Sequence, residues 1–123
     1  MILVDTSVWI DHLRSDDEWL AGLLRAGRVL VHPFVIGELA LGSLRQRNLI
    51  LRALQRLPHA TVATHLEVMR FVEEHALFSL GIGYVDAHLL AAVRLTQGAS
   101  LWTRDRQLLA AAQRLGVAAV GGR

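Results

Sequence analysis

Four of the eleven acidic residues, Asp5, Glu38, Asp86 and Asp105, lack an obvious structural duty. Asp5 directly follows the aliphatic run Ile2-Leu3-Val4 and opens a helical pattern, and Asp105 stands in the same relation to Ser100-Leu101-Trp102-Thr103. Both belong at the carboxyl ends of strands, where open α/β sheets bind their ligands. Glu38 lies inside Phe34-Val35-Ile36-Gly37-Glu38-Leu39-Ala40-Leu41, a helix apolar nearly all round. A carboxylate there must be paired, neutral or coordinating, because an unpaired buried charge is very costly. Asp86 sits in the first turn of a long apolar helix that starts Gly83-Tyr84-Val85. Each acid has a plain alternative: an N-cap for Asp5 and Asp105, an arginine partner for Glu38, a complement to the helix dipole for Asp86. If strand ends and helix starts converge, the four share one cleft, and like charges that close do not all stay ionised without a cation. Hard oxygen ligands, with no cysteine and no paired-histidine spacing, point to Mg²⁺ or Mn²⁺ rather than zinc. Such ions act on phosphates, where they activate a water and neutralise the displaced oxygens.

The other seven acids have ordinary places. Asp16, Asp17 and Glu18 fall in a helix first turn, Glu67 closes a capping box with Thr64, and Asp11, Glu73 and Glu74 lie on polar helix stretches. The six histidines, His12, His32, His59, His65, His75 and His88, show no metal-binding spacing and read as structural or exposed.

Positioning these acids requires strands that alternate with helices. Buried strands are expected at Ile2-Leu3-Val4, Val29-Leu30-Val31, Ala60-Thr61-Val62, Ser100-Leu101-Trp102-Thr103 and Val117-Ala118-Ala119-Val120. Such continuous apolar runs suit a parallel sheet covered on both faces. Helices are expected at about 6–14, 16–26, 33–44, 46–57, 64–77, 83–97 and 105–115. Ser15 with Glu18 and Thr64 with Glu67 are capping boxes, Pro33 is a first-turn proline, and Gly27, Gly98 and Gly116 follow helix ends. The pattern predicts one three-layer α/β domain over 1–123, a parallel sheet of about five short strands flanked by about seven helices, with a frayed Gly121-Gly122-Arg123 tail.

Composition narrows the function. No cysteine excludes disulfide scaffolds and thiol nucleophiles, and all 13 basic residues are arginine, which excludes any lysine-dependent mechanism. A phosphoacceptor receiver domain, another Mg²⁺-binding α/β class, is set aside on that ground. No apolar run reaches the roughly 18 residues of a membrane span. The N-terminus lacks a basic region and a cleavage site, so the chain reads as cytoplasmic.

Taken in order, Asp5-Thr6-Ser7, Glu38, Tyr84-x-Asp86-x-x-Leu89-Leu90 and Trp102-Thr103-Arg104-Asp105 resemble the PIN domain, and within it the VapC-type ribonuclease toxins of type II toxin–antitoxin systems. The resemblance covers essentially the whole chain. It implies a Mg²⁺- or Mn²⁺-dependent endoribonuclease that cuts structured or loop RNA of the tRNA or rRNA class. By that similarity Asp5, Glu38, Asp86 and Asp105 bind metal, and Ser7 and Thr103 orient water, a ligand or a phosphate. A homodimer and a small antitoxin that covers the site are also implied. Gln107 stands where many relatives carry a further acid, which leaves the count at one or two ions. Arg104 and Arg106 are candidate contacts to RNA phosphates, with solvated helix-start arginines as the alternative. Trp9, Ile10, Leu13, Trp19, Leu20, Leu23 and Leu24 offer more apolar surface than one helix pair needs. They are either core or a groove for an antitoxin helix or tail. The rival reading is a non-catalytic PIN-like RNA- or protein-binding module with a residual acidic metal site.

Overall fold

The structure, a computed structural model, describes residues 1–121. Strand β1 (Ile2–Val4) leads into α1 (Thr6–Arg14) and α2 (Glu18–Arg25), followed by β2 (Val29–Leu30), α3 (Pro33–Ala40), α4 (Arg47–Gln55) and α5 (His65–Glu74). Then come α6 (Tyr84–Leu95), β3 (Ser100–Trp102) and α7 (Arg106–Arg114). All seven expected helices form among the described residues, each shorter than or equal to its sequence pattern. Of the tail, residues 122 and 123 lie outside the described residues.

The sheet is parallel with order β2-β1-β3, Leu3 lying beside Leu30 on one side and Leu101 on the other. It has three strands, not about five. The two outer runs each contribute one isolated parallel bridge, His59 to Val31 and Ala118 to Leu101. Hydrogen bonding explains the loss. Val31 N–H donates to Pro58 and Ala60 N–H donates to Val31, but the next rung would need an N–H from Pro33, which has none, and Thr61 N–H, on the opposite edge, goes to the Thr96 hydroxyl. Pro58 itself has no N–H, so no ladder extends in either direction. At the other edge Ala119 N–H closes the single exchange with Leu101, and Val120 is already 92% exposed.

The chain departs from β1 toward β2 on one side and reaches β3 on the other, so β1 and β3 flank a point where the strand order reverses. Crevices open at the carboxyl ends of such strands. The three strands are buried, and α6 lies against the sheet with Ala87 through Val93 all buried. That burial accounts for its apolar sequence. Local signals set the helix ends. Pro33 occupies the first turn of α3, Thr64 and Glu67 form a reciprocal capping box, and Gly27, Gly98 and Gly116 take positive φ after α2, α6 and α7. The expected box at Ser15 and Glu18 does not form. Asp17 caps α2 instead, its side chain accepting from Leu20 N–H at 2.9 Å. Among the described residues no helix is long and apolar enough to cross a membrane.

Candidate metal and nuclease site

The end of β1 is tied to the end of β3, because Asp5 N–H donates to the Trp102 carbonyl at 2.9 Å. That bond sets Asp5 beside Thr103. Both are buried, at 7% and 3% exposure. Thr103 Oγ1 donates to Asp5 Oδ2 at 2.7 Å, and Ser7 Oγ donates to the same oxygen at 2.9 Å. Each hydroxyl in turn accepts a backbone N–H from the segment after β3: Arg104 N–H to Ser7 Oγ, and Asp105 N–H to Thr103 Oγ1, both at 3.1 Å. Five residues from the two strand ends, Asp5, Ser7, Thr103, Arg104 and Asp105, thus form one hydrogen-bonded network around one carboxylate oxygen.

The other acids are fixed by their own helix starts. Asp105 is the N-cap of α7 and accepts from Leu108 N–H through Oδ1 at 2.9 Å. Asp86 reaches back from the first turn of α6 to accept Gly83 N–H through Oδ2 at 3.0 Å. Glu38 is held by α1, its Oε1 accepting from Thr6 Oγ1 at 2.7 Å. It is exposed, contrary to the buried setting its sequence implies. The apolar run around it supplies two faces, Val35, Ile36 and Leu39 to the core and Gly37 with Glu38 to the open side. Each of the four carboxylates is therefore anchored through one oxygen, and its second oxygen bonds to nothing among the described residues.

Their charges meet. Burial pushes the Asp86 carboxyl above its ordinary value; the Gly83 N–H opposes this, and the charges of Asp5, Asp105 and Glu38 add to the rise. The strand-end acids and the α3 acid thus lie near enough for their charges to act on the α6 acid. Among the described residues no three His, Asp or Glu side chains form a ready-made set of metal ligands. The all-oxygen donors suit a hard divalent cation that keeps much of its water and takes only one or two protein carboxylates directly. The Gln107 side chain lies against Gly81, where a Cβ would meet Gln107 Cγ at 3.2 Å.

Several expectations are corrected by contacts that sequence spacing does not carry. Arg104, a candidate phosphate contact, is engaged instead by Asp11 at 2.6 Å and Asp17 at 2.7 Å, with its guanidinium 5.5 Å from the Trp102 ring centre. Asp11 and Asp17, read from sequence as a solvated face and a dipole complement, are its partners. Arg106 is exposed beside Asp105. Of the residues read as either core or groove, most fill the core: Trp9, Leu20 and Leu23 are buried, Trp19 and Leu24 pack against them, and only Ile10 and Leu13 stay exposed. His32 and His88 are structural, as expected. His32 caps α3 by accepting Phe34 N–H at 3.0 Å, and His88 packs edge-on against Phe34 and Tyr84. The Thr6–Glu38 bond was missed altogether; the only sequence signal for it is a hydroxyl next to Asp5.

Comparison with known proteins agrees with this geometry. The family model described as PIN domain matches residues 2–114. The chain is 52% identical over 118 residues to Ribonuclease VapC32 of two Mycobacterium tuberculosis strains, covering 96% of this chain and 95% of each relative. Its fold resembles a chain in the crystal structure of FitAcB from Neisseria gonorrhoeae, with a TM-score of 0.61 at 20% identity, over 92% of this chain and 94% of that one. The PIN-domain family model and the 52% identity to the Ribonuclease VapC32 relatives place the chain in the PIN-domain family, and within it among the VapC-type proteins.

Proposed function

We propose that the chain is a divalent-metal-dependent endoribonuclease, the toxin of a toxin–antitoxin pair, acting on single-stranded or loop RNA of the tRNA or rRNA class. The observation that carries this reading is the set of four carboxylates, each anchored through one oxygen with the other left open. Asp5 and Asp86 would hold the ion, Mg²⁺ with Mn²⁺ as substitute, and Asp105 would close the site. Bound there, the ion would neutralise charge on the phosphoryl oxygens. Ser7 and Thr103 fix the direction of the Asp5 carboxylate. Glu38, open to solvent and steadied by Thr6, accepts a proton from the water that attacks phosphorus in line. The new O–P bond forms as the bond to the 3′-oxygen breaks, and that oxygen leaves with a proton from solvent. The products carry 5′-phosphate and 3′-hydroxyl ends. Membership of the VapC type supports a small antitoxin that covers the acidic cleft, and a homodimer.

Purified protein mixed with tRNA and ribosomal RNA fragments tests the reading. Cleavage should require Mg²⁺ or Mn²⁺, stop with chelator, and fall at least about a thousandfold in Asp5→Asn, equivalent to ~4 kcal/mol of transition-state stabilisation. RNA left intact by the wild-type protein under these conditions would sink the enzyme and leave a binding-only PIN domain.

A further inference from the structure

Ile10 follows Thr6 by four residues, and Leu13 and Arg14 follow Ile10 by three and four, so the four share one side of α1. That side starts beside Asp5, at the Thr6 bond to Glu38, and runs ~12 Å to Arg14 at 1.5 Å per residue. Its Ile10, Leu13 and Arg14 form one wall of a cleft of about 610 Å³ whose other wall is Glu38, Leu39, the turn through Arg45 and Ile50 of α4. Ile10, Arg14 and Arg45 are exposed, and neither arginine has an ion-pair partner among the described residues. The lining is thus mixed: aliphatic side chains, two guanidiniums and one carboxylate, that of Glu38.

We propose that this cleft seats the single-stranded RNA flanking the cleaved bond, Arg14 and Arg45 binding its phosphates and Ile10 with Leu13 lying against a base. Charge complementarity carries the choice of occupant. Two open guanidiniums suit a phosphodiester chain, since arginine's planar fork pairs with phosphate oxygens two at a time. The aliphatic floor accepts the face of any base, which gives contact without sequence reading. The cleft also begins at an acid of the proposed reaction, so a strand lying in it would present its next phosphate to that acid. The inference rests on the ribonuclease reading and adds where the substrate's flank lies.

Binding of a fluorescent single-stranded RNA oligomer to the full-length protein, measured without divalent metal across a salt series, provides the test. Each phosphate contact on a single strand contributes about 0.7 to the slope of log affinity against log salt. The double variant Arg14→Ala/Arg45→Ala should lower that slope by about 1.4 and weaken binding several-fold at low salt. Arg14→Lys/Arg45→Lys should restore much of the slope, and Arg70→Ala on α5 should leave it unchanged. With metal present, the double alanine variant should raise KM for RNA and alter kcat little. All these positions are exposed, so melting temperatures should agree closely and a folding defect would be visible directly. Wild-type affinity and slope retained in the double variant would overturn the proposal. Wild-type RNA slope in that variant together with loss of a co-expressed antitoxin would assign the cleft to a protein partner instead. Wild-type protein that neither binds nor cuts RNA would overturn the ribonuclease reading itself, whereas normal cutting with an unaltered cleft variant would overturn only this inference.

Discussion

Asp5 stands at the N-cap position of α1 yet makes no side-chain bond to its own helix. The alternative role its sequence position allowed is therefore not the one it plays, and its carboxylate faces the Ser7 and Thr103 hydroxyls instead. Asp105 and Asp86 do both things at once, each satisfying a helix start with one oxygen and leaving the other to the cleft. This is why single acids in the sequence are ambiguous: the structural duty and the chemical one are compatible. Glu38 was misread as buried because its neighbours in sequence are apolar, whereas helix geometry puts it on the one open face of α3. For Asp86 the linkage can be signed. Its raised folded value means that the native state holds a proton more firmly than the unfolded chain does. This stabilises the fold below the ordinary carboxylate value of 3.8 and is lost as pH rises through the raised folded value. Asp86→Asn keeps an oxygen for Gly83 N–H and removes the charge, so metal-free variant protein at neutral pH should melt at the wild-type temperature or higher. A large drop, followed by calorimetry, would make Asp86 a structural partner rather than a ligand.

At the scale of elements, the seven helices and the central strands were legible because periodicity and caps are local properties. The outer strands were not, since their ladders stop at Pro33 and Pro58, which lack the N–H for the next rung, and where Val120 leaves the sheet. Two elements hold the site by contacts far apart in sequence. Arg104 ties the end of β3 to α1 and the start of α2 through Asp11 and Asp17. These pairs are partly exposed, so Arg104→Gln should cost about 1–2 kcal/mol, more at low salt than at high salt. Denaturant unfolding at two salt concentrations checks this, and equal stability of both proteins would contradict the tie. His32, which starts α3 below Glu38, is fully buried, and that burial lowers it to about 4, with His88 and His59 adding to the effect. It is neutral in the fold, and the unfolded chain takes up the proton first as pH falls. Stability present above the ordinary histidine value of 6.5 should therefore be lost on acidification toward about 4, by about 3 kcal/mol if unfolding releases His32 fully. Unfolding curves between pH 7 and pH 4.5 should show this decline, and a flat profile would remove His32 from the list of buried neutral groups.

For the whole molecule, a formal net charge of +2 conceals a division of labour. If the four acids hold metal in one cleft, as proposed, the rest of the chain carries thirteen arginines against seven acids, a net of +6. That basic remainder would attract a phosphate backbone toward acids that would repel it without a cation. The account therefore stands or falls on the cleft's need for metal. Its most direct test is the rate of RNA cleavage against Mn²⁺ concentration for the wild-type protein and Asp86→Asn. Wild-type cleavage should saturate with Mn²⁺. The variant should need at least about tenfold more ion, a loss of ~1.4 kcal/mol in binding, and stay far slower at saturation. Cleavage that is independent of Mn²⁺, or a variant with the wild-type curve, would contradict it.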